Sequence, residues 1–292
     1  MSASLTALGL PLLSQETFDS FRALIFQKTG INMRDGKQIL ISNRLRRRLA
    51  ALGLSTYEEY FSLLTSRRAG EGELHNFIDA VSTNETYFYR EVNHFHALQK
   101  VILPELLRRR RAVRIWSAGC STGEEAYTLR IVVEEALAEV SRDLPHPAPE
   151  VSIIGTDIST AAISRARDGV YGDRSLRLVP KDMLEKYFTP AEGGGRRIRP
   201  EIRARVDFQV HNLFDDPPPF LEIDVIVCRN VMIYFNKATQ VKLVDEIFTR
   251  ALDPDGYLFI GHSESLSGFT RKFRYTSTFK APIYRMKKEG AS

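Results

Sequence analysis

A short loop, Ala118-Gly119-Cys120-Ser121-Thr122-Gly123, followed at once by Glu124 and Glu125, carries the clearest chemical signal in this 292-residue chain. Its small residues let the backbone approach a ligand closely, and a helix starting behind it would aim its first amides at that ligand. The spacing is Gly-x-x-x-Gly, not the Gly-x-Gly-x-x-Gly of dinucleotide folds. Two carboxylates in the first turn would also repel a pyrophosphate. A cationic sulfonium cofactor without a phosphate, of the S-adenosylmethionine type, suits the loop better. Glu124 by itself is read as a favourable charge at the helix start.

The loop follows a short apolar run, Val113 to Ser117, and other polar clusters follow similar runs. Asp157, after Val151 to Thr156, stands where a carboxylate accepts the hydroxyl protons of a ribose. A helix cap is the competing role for Asp157, although Ser159 or Thr160 would serve there equally well. Asn212 can read an adenine edge through its amide while Leu213 packs on the ring. Arg229, Asn230 and Tyr234 fall where the reacting end of the cofactor would lie, with half-buried packing as the alternative for Tyr234. The segment Ser82 to Arg90 has the composition of a linker leading into a helix.

Taken in order, Thr83-Asn84-Glu85-Thr86-Tyr87-Phe88-Tyr89-Arg90, Trp116 to Glu125, Cys228-Arg229-Asn230-Val231-Met232-Ile233-Tyr234-Phe235 and Gly261-His262-Ser263-Glu264-Ser265 closely resemble the chemotaxis receptor (protein-glutamate) O-methyltransferase family. The resemblance implies transfer of a methyl group from S-adenosylmethionine to receptor glutamates, giving a γ-glutamyl methyl ester and S-adenosylhomocysteine, with no metal. It also implies that Asn84, Thr86 and Arg90 contact the cofactor from the linker, together with Glu125, Asp157, Asn212, Leu213, Arg229 and Asn230. Arg90 and Tyr234 would stand nearest the transferred methyl. Two positions depart from the family pattern, Gly119 for the more usual Ala and Ala126 for Pro. The stretch from Tyr187 to Phe208, containing Gly193-Gly194-Gly195, corresponds to a small β insertion that some members use to grip a receptor tail. Here it looks short, which argues against tail-peptide binding.

The elements that must position these residues follow from periodicity. The first 80 residues read as a small helical bundle. Ser14 caps a helix with Phe18, Phe21 and Ile25 on one face, and Gly30 ends it. Asp35 is expected to cap a second helix, with Ile41, Leu45, Leu49 and Leu52 inward and Gly53 after it. Ser55 and Glu58 make a capping-box signature for a third, and Glu73 to Ala80 forms a fourth. Beyond a helix from Asn93 to Arg110, short apolar runs alternate with amphipathic stretches. This is the pattern of a doubly wound, mostly parallel sheet, closed by a hairpin over Phe273 to Met286. The expected architecture is therefore α/β: a Rossmann-like methyltransferase domain over residues 93–292 with a β insertion at 187–208, a helical substrate-docking domain over 1–80, and a linker over 81–92 that contributes to the cofactor site.

Composition limits the partners. With 43% hydrophobic and 26% charged residues the chain reads as a globular protein. No apolar run reaches the roughly 18 to 20 residues of a membrane helix, and the first residues lack a signal-peptide pattern, so a cytoplasmic monomer without membrane insertion is expected. Cys120 and Cys228 form no metal-binding pattern and are read as packing residues. Between Lys28 and Arg48 there are seven basic residues against one acidic. Lys37, Arg44, Arg47 and Arg48 fall on one helical stripe, suited to docking the acidic methylation helices of a chemoreceptor. A nucleic-acid methyltransferase would also explain the net charge of +5, but no base-flipping loop, single-strand platform or zinc module accompanies it. A catalytically silent cofactor sensor is the other alternative, and the presence of Arg90 and Tyr234 weighs against it.

Overall fold

The computed structural model describes residues 13–66, 71–144, 147–268, 270–276 and 279–287. Four helices open the chain: α1 (Gln15–Thr29), α2 (Gln38–Leu52), α3 (Tyr57–Thr65) and α4 (Glu71–Val81). The Ser14 hydroxyl accepts from the Thr17 amide, and Gly30 ends α1 at φ 71°, where a side chain would also strike Phe214. Phe18, Phe21, Ile25, Ile41, Leu45, Leu49, Tyr60 and Phe77 close a core of their own. At about 2 kcal/mol for each large side chain buried, that core is what lets such short helices persist.

Three local expectations differ from the structure. Helix α2 begins after Lys37, and Asp35 instead pairs with Arg22 at 2.6 Å. The capping box of α3 is Thr56 with Glu59, because burial of Tyr57 and Tyr60 sets that register and Glu58 accepts from Thr17 Oγ1 at 2.5 Å. Leu52, expected to face inward, is exposed at the end of α2.

The remainder is a seven-stranded sheet of β1 (Ala112–Ala118), β2 (Glu150–Asp157), β6 (Val206–Val210), β7 (Ile223–Cys228), β8 (Leu252–Ile260), β9 (Phe273–Thr276) and β10 (Ile283–Met286). The order is β6-β2-β1-β7-β8-β10-β9. The first five strands are parallel, and β10 is antiparallel to both β8 and β9. Helix α5 (residues 93–109), with a π-helical turn at Leu98–Ile102, leads into β1; α6 (Glu124–Val140), α7 (Thr160–Asp168) and α8 (residues 237–251) cover the faces. The order reverses between β1 and β7, and at such a reversal the loops diverge to leave a crevice beyond the strand ends. A second, three-stranded sheet is formed by β3 (Val170–Tyr171), β4 (Phe188–Pro190) and β5 (Arg196–Ile198). It recruits residues before the expected 187–208 insertion, whereas 206–208 belong to the main sheet.

The helical bundle is seated on that crevice. Asp79 of α4 accepts from Thr160 Oγ1 (2.7 Å) and the Ala161 amide at the start of α7, and Asn32 N donates to the Tyr234 carbonyl at 2.8 Å. No helix among the described residues is long and apolar enough to cross a membrane.

Candidate active site

The loop after β1 is held open by its neighbours. Gly119 N and Cys120 N both donate to the Thr156 carbonyl at 2.8 Å, and Ser121 N donates to Asp157 Oδ2 at 2.9 Å. Three residues, Gly119 (φ 85°), Ser121 (φ 52°) and Gly123 (φ 93°), lie in the left-handed region, which keeps the backbone concave before α6. At Gly119 a Cβ would stand 2.5 Å from Val231 Cγ2. Although Ala is the more usual residue of the family here, G119A is expected to cost about 1–3 kcal/mol of stability in this chain, where Val231 fills the space. Thermal denaturation checks this, and V231A added to G119A should restore only part, since it relieves the contact and not the backbone strain.

Beyond the strand ends lies one cavity of about 720 Å³, a volume suited to a nucleoside-sized ligand. It brings together Asn84, Thr86, Arg90, Glu125, Asp157, Asn212, Leu213, Arg229, Asn230 and Tyr234. From the helical bundle it also takes Lys37 and Arg44, but not Arg47 or Arg48. Arg48 is clamped on Glu73 (2.5 and 3.1 Å), and Arg44 donates to the Val81 carbonyl and to Thr83 Oγ1 (3.0 Å). Half of the expected stripe thus has an internal task.

Asp157 is buried, and its carboxylate accepts from Ser121 N and Ser159 N, both at 2.9 Å. The cap of α7 is Ser159, not Asp157. Burial pushes the Asp157 carboxyl up, and the two backbone amides offset part of that rise. Glu125 accepts from Ser117 Oγ at 2.7 Å and lies 3.4 Å from Arg229 Nη1; burial raises its carboxyl too, against the opposing pull of Arg229. Cofactor affinity should consequently fade on acidification above the roughly pH 4 of ordinary carboxyls. E125Q should flatten that profile in calorimetric titrations. Glu124 faces away from the cavity, bonded by Thr122 Oγ1 (2.6 Å) and Ser175 Oγ (2.8 Å).

The amide of Asn212 has a role the sequence did not disclose. Its Nδ2 donates to the Lys28 carbonyl at the end of α1 (2.8 Å), and its Oδ1 accepts from Phe214 N (3.1 Å). Asn212 is therefore a tie between the two halves of the molecule. Arg90 donates to the Glu85 carbonyl at 3.0 Å and lies 5.8 Å from the Tyr87 ring, which Arg177 covers at 3.5 Å. The buried Cys120 and Cys228 stay outside the cavity lining.

Two acidic residues have roles that sequence reasoning did not assign, although Glu264 stood in one of the resembling motifs. Glu264 accepts from Asn230 N (2.9 Å), Gly261 N (2.6 Å) and Ile233 N (3.2 Å), fixing the loop after β7 to that after β8. Glu91 accepts from Asn230 Nδ2 and faces Arg229. Glu91, His94 and His262 set potential metal-ligand atoms within 4.8 Å of one another, but Arg229 Nε, 3.6 Å from Glu91 Oε2, already supplies positive charge there. The groups bonded to the loop and the strand end before it include two buried carboxylates, Asp157 on Ser121 N and Glu125 on Ser117 Oγ, and these fit an ammonium and ribose hydroxyls.

A crevice at the switch point of this sheet, in a chain whose family model is a SAM-binding domain, is that of an S-adenosylmethionine-dependent methyltransferase. Residues 84–281 match the family described as CheR methyltransferase, SAM binding domain, and residues 16–82 match the CheR methyltransferase all-alpha domain. The chain is 38% identical over 288 residues to the chemotaxis protein methyltransferase of Salmonella typhimurium, covering 96% of this chain and 93% of that protein. It is 39% identical over 256 residues to chemotaxis protein methyltransferase 2 of Pseudomonas aeruginosa (86% and 87% covered) and 36% over 251 residues to the chemotaxis protein methyltransferase of Borreliella burgdorferi (84% and 86%). The chain belongs to the CheR methyltransferase family.

Proposed function

We propose that this protein methylates glutamate side chains on the cytoplasmic helices of chemoreceptors, as part of chemotactic adaptation. The observation that carries this reading is that the cavity is shared. Residues suited to the cofactor (Asn84, Thr86, Glu125, Asp157, Leu213, Arg229, Asn230) and basic residues of the helical bundle (Arg34, Lys37, Arg44) line the same space. A glutamate presented by an acidic helix can therefore meet a bound cofactor without either being moved.

S-adenosylmethionine, when bound, supplies an electrophilic methyl group on a sulfonium. The chain's own residues have a restricted task. A carboxylate with a pKa near 4.3 is ionised at neutral pH, so no general base is required. Opposite charges approach and cancel, which leaves alignment and exclusion of water as the main sources of rate. Arg90 orients the substrate carboxylate, and Tyr234 directs it by hydrogen bonding from the rim next to Arg44. Asp157, at the end of β2, takes the ribose; Glu125, between β1 and Arg229, takes the methionine ammonium. The helical residues 1–80 dock the substrate and the linker 81–92 closes the site over the cofactor.

Incubation with methyl-labelled cofactor and a chemoreceptor cytoplasmic domain tests the proposal. Label released by mild base as methanol is the expected result. Base-stable label, or label transferred to RNA and not to receptor, would overturn it.

A further inference from the structure

The Arg229 guanidinium is buried between two carboxylates. Its Nε is 3.6 Å from Glu91 Oε2, its Nη1 is 3.4 Å from Glu125 Oε2, and its Nη2 donates to the Arg90 carbonyl. Neither Nε nor Nη1 makes a hydrogen bond, so the arginine is shared between both acids and committed to neither. Glu91, in contrast, is fixed from several sides. Its Oε1 accepts from Asn230 Nδ2 (3.2 Å), its Oε2 accepts from His262 N (3.3 Å), and its backbone is held at φ 55° beside Tyr89 at φ 56°. Such left-handed residues persist only where their surroundings over-determine them, and here the turn delivers one carboxylate to one guanidinium.

We infer that Glu91 is a positioning residue that holds Arg229 away from Glu125, so that the Glu125 carboxylate remains available to the ammonium of the cofactor's methionine end. This rests on the cofactor roles proposed above. Without the Glu91 charge, Arg229 has a single acidic neighbour in a buried setting, and a closed Arg229–Glu125 pair would compete with the incoming ammonium. The two acids already behave differently. Burial raises the Glu91 carboxyl, but Arg229 and Asn230 bring it below the ordinary range, whereas Glu125 stays above it. Arg229 opposes the rise at both carboxyls, and the deeper burial of Glu125 leaves it the higher of the two.

Binding of two ligands separates this role from a general structural one. S-adenosylhomocysteine carries the ammonium; 5′-methylthioadenosine has the same nucleoside and no amino-acid end. In calorimetric titrations, E91Q should weaken S-adenosylhomocysteine roughly tenfold and leave 5′-methylthioadenosine within about twofold. E91D, which keeps the charge, should recover most of the loss, and it also serves if E91Q folds poorly. Equal weakening of both ligands, or no weakening of S-adenosylhomocysteine, would overturn the inference. Failure of the wild-type protein to bind either ligand would instead remove the cofactor assignment beneath it.

Discussion

R90A is expected to lower kcat for receptor methylation by roughly 100- to 1,000-fold, the usual consequence of deleting one preorganised charged donor from a site that works by alignment. The fold should survive. What Arg90 contributes to the scaffold is its backbone carbonyl, which accepts from Arg229 Nη2 and is retained in alanine. Its guanidinium has one bond to the protein, to the Glu85 carbonyl, and otherwise lines the cavity. S-adenosylhomocysteine affinity should fall far less than kcat, by roughly tenfold at most, because Asp157 and Glu125 remain. R90K should recover only part of the rate, since an ammonium cannot reproduce a planar fork on a carboxylate. Stopped-time assays with labelled cofactor, beside a melting curve for each variant, check this. Near-normal turnover in a folded R90A protein would take Arg90 out of the proposed active site.

How much of this could be read without coordinates depends on the kind of interaction involved. The strands announced themselves as apolar runs, and the rule that ligands lie beyond strand ends then led to Asp157, Asn212 and Arg229. The linker residues Asn84, Thr86 and Arg90 were different: composition suggested only a connection, and family resemblance alone pointed to the cofactor. Glu91 escaped, and Glu264 was met only as part of a motif without a role, because their significance is long-range. Each receives bonds from loops some 140 or 30 residues away, and no local pattern encodes that. The capping box slipped by one because Ser55-x-x-Glu58 and Thr56-x-x-Glu59 both satisfy the motif. The decision came from which tyrosines were buried. The same limit applies to the basic stripe. Periodicity placed Lys37, Arg44, Arg47 and Arg48 on one side of α2, but partners from α4 and the linker claim Arg44 and Arg48.

That division sharpens the docking prediction. Lys37 and Arg47 are exposed, with Ile39 74% exposed beside them and Leu40 at the cavity edge. An acidic receptor helix would meet two cations and an apolar contact on the approach to Tyr234. K37E with R47E turns two attractions into repulsions. At about 1.4 kcal/mol for each reversed contact, KM for receptor should rise roughly 100-fold. The kcat extrapolated to saturation and the S-adenosylhomocysteine affinity should change by no more than about twofold. Added salt should raise the wild-type KM and lower that of the double variant, because screening weakens the attraction in the one and the repulsion in the other. R48E should behave otherwise. It would set a glutamate against Glu73 in a half-buried bidentate site and lower the melting temperature, with KM unchanged and the apparent kcat reduced only by the loss of folded protein. A KM unchanged in K37E/R47E would remove α2 from the receptor interface, and an R48E protein of full stability with a raised KM would place Arg48 there after all.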